Sequence, residues 1–190
     1  MHVLKTLCSP NKELTNPIAL SIGVYDGLHE GHIAVLQRLK EAAGPKGTTI
    51  VISFNNNPAE IIKGQSVFPI YSNEERIALF ELLKIDILFL IPFTEEIAKQ
   101  SAEQFLKEIK HYLSFSHLIL GYDAVLGNKR EGTQEKIISL SKSLDFEVEY
   151  LPPVCDQSGP ISSTRIRLLI QAGNLRDAEI LLGRPYRLNH

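Results

Sequence analysis

Along the chain, apolar runs alternate with amphipathic stretches. Residues 18–24, Ile-Ala-Leu-Ser-Ile-Gly-Val, are almost continuously apolar, as strands covered on both faces of a parallel sheet tend to be. Residues 33–43 follow with Val35, Leu36 and Leu39 at helical spacing, closed by Gly44-Pro45. Residues 48–54 are rich in β-branched side chains and read as a second strand. Ser72-Asn-Glu-Glu75 is a capping box that predicts a helix to residue 83, and residues 86–91 predict a third strand. Ser101-Ala-Glu-Gln104 opens a helix to about residue 112. A fourth strand over 118–121, a helix over 133–144 and a fifth strand over 146–151 come next. Two short helices finish the pattern. Ser162 caps the first and Gly173 ends it; Asn174 with Asp177 starts the second, which stops at Gly183.

Strands alternating with helices, each crossover long enough for a βαβ unit, predict an α/β fold with a doubly wound, five-stranded parallel sheet. Ligands of such sheets bind beyond the carboxyl ends of the strands, beside the topological switch. The segments of interest are therefore 25–31, 55–71, 92–100, 121–132 and 152–162. No repeat or low-complexity linker divides the 190 residues, so one domain over 1–190 is expected.

Composition places the chain among soluble globular proteins, with 44% apolar and 22% charged residues. A net charge of −2 gives no general reason to expect nucleic acid or an anionic membrane as partner, so an anionic ligand needs a local site. Cys8 and Cys155 form no CxxC pair and read as reduced thiols. The first ten residues lack the basic start and apolar stretch of a signal peptide. The best apolar run, 85–92, is short and broken by Asp86. The cytoplasm is the expected compartment, and the oligomeric state is left open.

The chemistry concentrates in two places. Strand 18–24 runs into Tyr25-Asp-Gly-Leu-His-Glu-Gly-His32, with a helix opening near Gly31. Gly27 and Gly31 are expected to let the backbone turn tightly and approach a ligand. The helix start offers free N–H groups and a positive dipole end to phosphate oxygens. His29 and His32, three residues apart, can face one place above that end. Histidines packed beside a glycine turn are the bland alternative, which a pair at this point of a βαβ unit makes the weaker one. The second place is Ile161-Ser-Ser-Thr-Arg-Ile-Arg167. Its hydroxyls can cap a helix or bind an anion, and Ser163 and Arg167, at i and i+4, share a face. Ile166, Leu169 and Ile170 form the buried stripe, while Arg165 points elsewhere and reads as a solvated charge. Asp26 could serve a metal, although a turn-forming aspartate is an equal or better reading.

The His29-Glu-Gly-His32 form, with a distant Ser-Ser-Thr-x-x-Arg helix start, resembles the HxGH nucleotidyltransferase superfamily and implies its Rossmann-like fold. Within it, Gly23-Val-Tyr-Asp-Gly-Leu-His-Glu-Gly-His32, Ile161-Ser-Ser-Thr-Arg-Ile-Arg167 and Leu181-Leu-Gly-Arg-Pro-Tyr186 together are similar to the prokaryotic FAD synthetases, the FMN adenylyltransferase module of the bifunctional riboflavin kinase/FAD synthetases. The resemblance spans about 16–187 and implies transfer of an adenylyl group from ATP to FMN, giving FAD and pyrophosphate, with Mg²⁺ as cofactor. It implies that Gly23, Val24, Tyr25, Asp26, His29, Gly31 and His32 surround ATP, with Asp123 approaching the nucleotide. Ser163, Thr164 and Arg167 would hold the triphosphate from the other side. Asn55, Asn57, Pro58, Leu126, Gly127 and Arg130 would border the flavin. No riboflavin kinase domain is expected within these residues. The acceptor half departs from the family pattern: Asn57 stands where a histidine is usual, and Ala124 and Leu126 where aromatic residues are.

A phosphate monoester is largely dianionic at neutral pH, its second pKa being about 6, so the acceptor needs no general base. The histidines are then read as charge stabilisers and hydrogen-bond donors. Two alternatives stay open: another phosphorylated acceptor, such as phosphopantetheine or a mononucleotide, and a non-catalytic nucleotide- or flavin-binding module. A P-loop kinase is excluded, because Gly44-Pro-Lys-Gly47 lacks the required spacing.

Overall fold

The computed structural model describes residues 1–186; the expected domain span and family resemblance run a little past them, and that part lies outside the described residues. The elements are β1 (His2–Leu4), β2 (Ile18–Ile22), α1 (Glu30–Ala43), β3 (Thr48–Phe54), α2 (Pro58–Lys63), α3 (Asn73–Leu82), β4 (Ile87–Ile91), α4 (Glu95–Lys99), α5 (Ala102–Tyr112), β5 (His117–Gly121), α6 (Gln134–Ser143), β6 (Glu147–Leu151), β7 (Cys155–Asp156), β8 (Gly159–Pro160), α7 (Ser163–Gln171) and α8 (Leu175–Leu182). The main sheet has six parallel strands in the order β1-β4-β3-β2-β5-β6, so the chain reverses direction across the sheet between β2 and β5. The doubly wound prediction holds, with one strand more than the five expected. The extra strand, β1, is three half-buried residues at the sheet edge, too short to show a period.

Alternation within each strand builds two cores. Ile18, Leu20 and Ile22 of β2, with Ile50, Ile52 and Phe89, face α5 through Phe105, Leu106 and Ile109. Ala19, Val51, Leu88 and Ile119 point the other way, onto Val35, Leu36 and Leu39 of α1 and Phe80 of α3. Burial on both faces explains why these strands read as continuous apolar runs. A third, smaller cluster joins Ile166 and Ile170 of α7 to Ala178, Leu181 and Leu182 of α8, with Ile70 and Tyr71 beneath.

Capping follows the sequence. Ser72 and Ser101 each form reciprocal capping boxes with Glu75 and Gln104, and Ser162 accepts from the Arg165 backbone N–H. Three segments read as loops contain structure. α2 is capped by Asn57 and opened by Pro58, α4 is capped by Thr94, and β7–β8 form a hairpin. Neither α2 nor α4 buries a residue, so neither has the apolar stripe that announces a helix. Arg165 is not a free surface charge: it bonds the carbonyls of Gly159 and Pro160 and pairs with Asp156 at 2.7 Å, holding the hairpin to α7. At the far sheet edge, β6 carries Glu147 and Glu149, the latter paired with Arg38 of α1 at 2.9 Å. No helix among the described residues is long and apolar enough to cross a membrane.

Candidate functional site

A cavity of about 870 Å³ opens at the carboxyl ends of the strands, beside the β2/β5 reversal. One wall is the loop from β2 into α1: Gly23, Val24, Tyr25, Asp26, His29, Gly31 and His32. Opposite lies the start of α7, with Ser163, Thr164 and Arg167; Asp123 follows β5. Asn57, Pro58, Leu126, Gly127 and Arg130 line the remaining side. Asn55 does not: its side chain is exposed, and its backbone bonds Ile91 and Asn73. The run of three asparagines is divided, because Asn56 ties the Phe93 backbone through both its N–H and its carbonyl while Asn57 caps α2 through Ala59.

The β2–α1 loop turns differently from the glycine-based expectation. Its left-handed residues are Tyr25 (φ 50°) and Leu28 (φ 43°), whereas neither Gly27 nor Gly31 has positive φ. Gly31 leaves room for the imidazole: a Cβ there would lie 3.2 Å from the His29 ring, a tight contact that the ring would have to shift to relieve. Left-handed backbone at non-glycine residues costs on the order of 1–3 kcal/mol each and persists only where surroundings impose it. Here they do. The buried Tyr25 hydroxyl bonds Ser21 Oγ at 2.5 Å, and Ser21 donates to the Ile119 carbonyl. Arg76 of α3, only 4% exposed, donates to the carbonyls of Val24 and Phe54 and to Ser53 Oγ. Asp26 accepts from the Ile70 N–H and pairs with Arg167 at 2.7 Å. Arg184 donates to the carbonyls of Gly27 and Leu28. Asp26 is thus more than a turn former: it links the loop to α7.

The two imidazoles stack at 3.8 Å with 16° between planes, and His32 also meets the Tyr25 ring at 4.9 Å. Burial, then the Arg184 charge, lowers the His29 pKa to about 4. Burial, then His29, Arg76 and Arg184, holds His32 well below its ordinary value. Both rings are therefore neutral at neutral pH. Each Nδ1 is buried without a partner among the described residues. A buried lone pair is less costly than a buried N–H, which favours the tautomer with the proton on Nε2, turned to the cavity. His29 is the N-cap of α1 and makes no side-chain cap, so the first-turn N–H groups stay free for a ligand. On α7, Arg167 Nε donates to the Phe68 carbonyl and Nη2 to Asp26, leaving Nη1 without a protein partner among the described residues.

Two helix starts carrying hydroxyls, imidazoles and a guanidinium thus face one cavity whose remaining wall mixes apolar side chains with Asn57, Tyr122, Asp123, Lys129 and Arg130. Aromatic surface there comes from Phe54, Phe93 and Phe105, although Ala124 and Leu126 occupy the positions where aromatics were expected. Phe54 and Phe93 meet edge-to-face at 5.0 Å. Residues 11–165 match the family model described as FAD synthetase. The chain belongs to the FAD synthetase family. Among its relatives, a bifunctional riboflavin kinase/FMN adenylyltransferase from Listeria monocytogenes is 33% identical over 88% of this chain, and one from Haemophilus influenzae is 31% identical over 99%. The chain spans 54% and 62% of their respective lengths. The crystal structure of a macrolide-efflux protein from Streptococcus pneumoniae superposes with a TM-score of 0.83 at 26% identity, covering 98% of this chain and 61% of that one.

Sequence reasoning missed Arg76, Arg184, Asn56 and the three phenylalanines of the cavity wall. Arg184 stood inside the Leu-Gly-Arg-Pro-Tyr motif and was available as a signal. Arg76 was not, since an arginine on an amphipathic helix ordinarily faces water.

Proposed function

We propose that this chain transfers the adenylyl group of ATP to FMN, releasing FAD and pyrophosphate. The observation that carries the reading is the stacked His29–His32 pair at the start of α1 facing Ser163, Thr164 and Arg167 at the start of α7 across one cavity. An aromatic wall beside this polar cleft suits a flavin ring. In this reading the triphosphate lies between the helix starts, taking first-turn N–H groups from each. The FMN phosphate, already ionised, attacks the α-phosphorus in line. The imidazoles act as neutral Nε2–H donors to the oxygens that gain charge, and the free Nη1 of Arg167 receives the departing pyrophosphate. Family membership supports the same substrates.

Mg²⁺ fits as companion of the nucleotide. Among the described residues no group of three or more His, Cys, Asp or Glu side chains converges, so phosphate oxygens and water would supply most of its ligands. Asp26, Glu95 and Asp123 are the carboxylates on the cavity wall; Asp26 is taken up by Ile70 and Arg167, so in this reading Asp123 would add one ligand. When bound, the ion disperses triphosphate charge.

A second reading keeps the nucleotide half and changes the acceptor. It draws on Asn57, whose side-chain oxygen is taken up by the α2 cap. Incubation with ATP, Mg²⁺ and FMN, followed by chromatography, decides: FAD and pyrophosphate are expected in equal amounts. Their absence, with ATP still bound, would favour the second reading. His32→Ala should lower turnover by roughly a hundred-fold, as removing one oxyanion donor does, while FMN affinity changes little.

A further inference from the structure

Residues 183–186 come back from the end of α8 to the outer side of the β2–α1 loop. Gly183 ends α8 in left-handed conformation, and the Tyr186 N–H bonds Glu179 Oε1 at 2.8 Å, so this return is fixed at both ends. Between them, Arg184 spreads its guanidinium over three carbonyls: Nη2 to Gly27 at 2.5 Å, and Nη1 to Leu28 at 2.9 Å and Leu182 at 3.1 Å. The group lies 5.1 Å from the centre of the Tyr71 ring, and Tyr71 packs on Tyr186. Arg184 is not part of the cavity wall. It touches the loop from behind, at the two residues just before His29, one of them the left-handed Leu28.

We propose that Arg184 is a positioning residue for adenylyl transfer: by holding the Gly27 and Leu28 carbonyls it sets the peptide that carries His29, and so the placement of the stacked imidazole pair. The proposal rests on the functional reading above. Consecutive carbonyls ask for a planar fork of donors at fixed spacing, which guanidinium supplies and a lysine ammonium cannot reproduce. The hold matters because, among the described residues, no other hydrogen bond reaches the Gly27 or Leu28 carbonyl, whereas the Val24 carbonyl accepts from both Ser53 and Arg76, and the Asp26 side chain is held by Ile70 and Arg167. The positive charge adds to the effect by disfavouring the imidazolium form of both rings.

Three variants test it: Arg184→Gln, Arg184→Lys and, as control, Lys107→Gln, which breaks only the exposed pair with Glu103. Turnover and KM are measured with ATP and FMN, and the histidine side-chain resonances are followed by NMR in the folded protein without substrate. Arg184→Gln is expected to lower kcat by roughly ten- to a hundred-fold, the scale of a small misplacement of catalytic groups, with KM for FMN within about two-fold. Its His29 and His32 resonances should lose the mutual ring-current shift of rings stacked at 3.8 Å. Arg184→Lys should recover part of both, and Lys107→Gln should match the parent. A folded Arg184→Gln protein with unmoved imidazole resonances and parental kcat would overturn the proposal. If Arg184→Gln does not fold, the same readouts on Arg184→Lys decide. If the parent itself makes no FAD, the functional reading fails, and the imidazole resonances still settle whether Arg184 positions them.

Discussion

Two neutral imidazoles in contact carry a consequence for acid stability. The unfolded chain protonates His29 near its ordinary value, while the folded protein resists until about pH 4. The unfolded state therefore binds more protons as pH falls, and stability is lost from about pH 6.5 down through 4. His29→Gln should flatten that part of the curve of melting temperature against pH, with the carboxylate contribution unchanged. An equally steep fall in the variant would mean that the ring is solvated. The HxGH spacing made the pair visible in sequence, since helix periodicity puts such residues on one side of one turn. What it could not supply was the stack, the burial of each Nδ1 with no partner among the described residues, or the two arginines behind the loop. Those depend on residues such as Arg76 and Arg184, which lie far along the chain and meet only after folding.

Helices with a buried stripe or a capping box were legible to within a residue or two, and those without were not. α1, α3, α5 and α7 carry both a start signal and an inward face; α2 and α4 are short caps over a cavity, and no core dictates their pattern. The caps also separate stability from function. Ser72→Ala removes the bond that the Glu75 backbone N–H donates to Ser72 Oγ and should cost about 1 kcal/mol, or about 2–4 °C in a thermal melt, with turnover unchanged. Ser162→Ala loses a cap of the same kind on α7, but that helix start faces the cavity, so turnover should fall as well. Equal kinetics in the two variants would mean that the α7 terminus does not meet the triphosphate.

Over the whole molecule, hydrophobic rhythm sufficed for the architecture because both faces of the central strands are covered, which forces long apolar runs. It failed at the margin, where β1 is short and half-buried. The cavity's composition was legible in its polar half, built from contiguous motifs. Its aromatic side draws Phe54 from β3, Phe105 from α5 and Phe93 from the loop between β4 and α4, and no local pattern joins them. The far margin of the sheet has a different consequence. β6 is the outermost strand and pairs with β5 alone among the described residues, and an edge strand of that kind can recruit another chain into a growing sheet. Glu147 and Glu149 set negative charge there, Glu149 steadied by Arg38. Changing both to valine should leave the native cleft intact and yet produce concentration-dependent aggregates on mild heating, detectable by light scattering. In that sense the two carboxylates guard the protein's colloidal life.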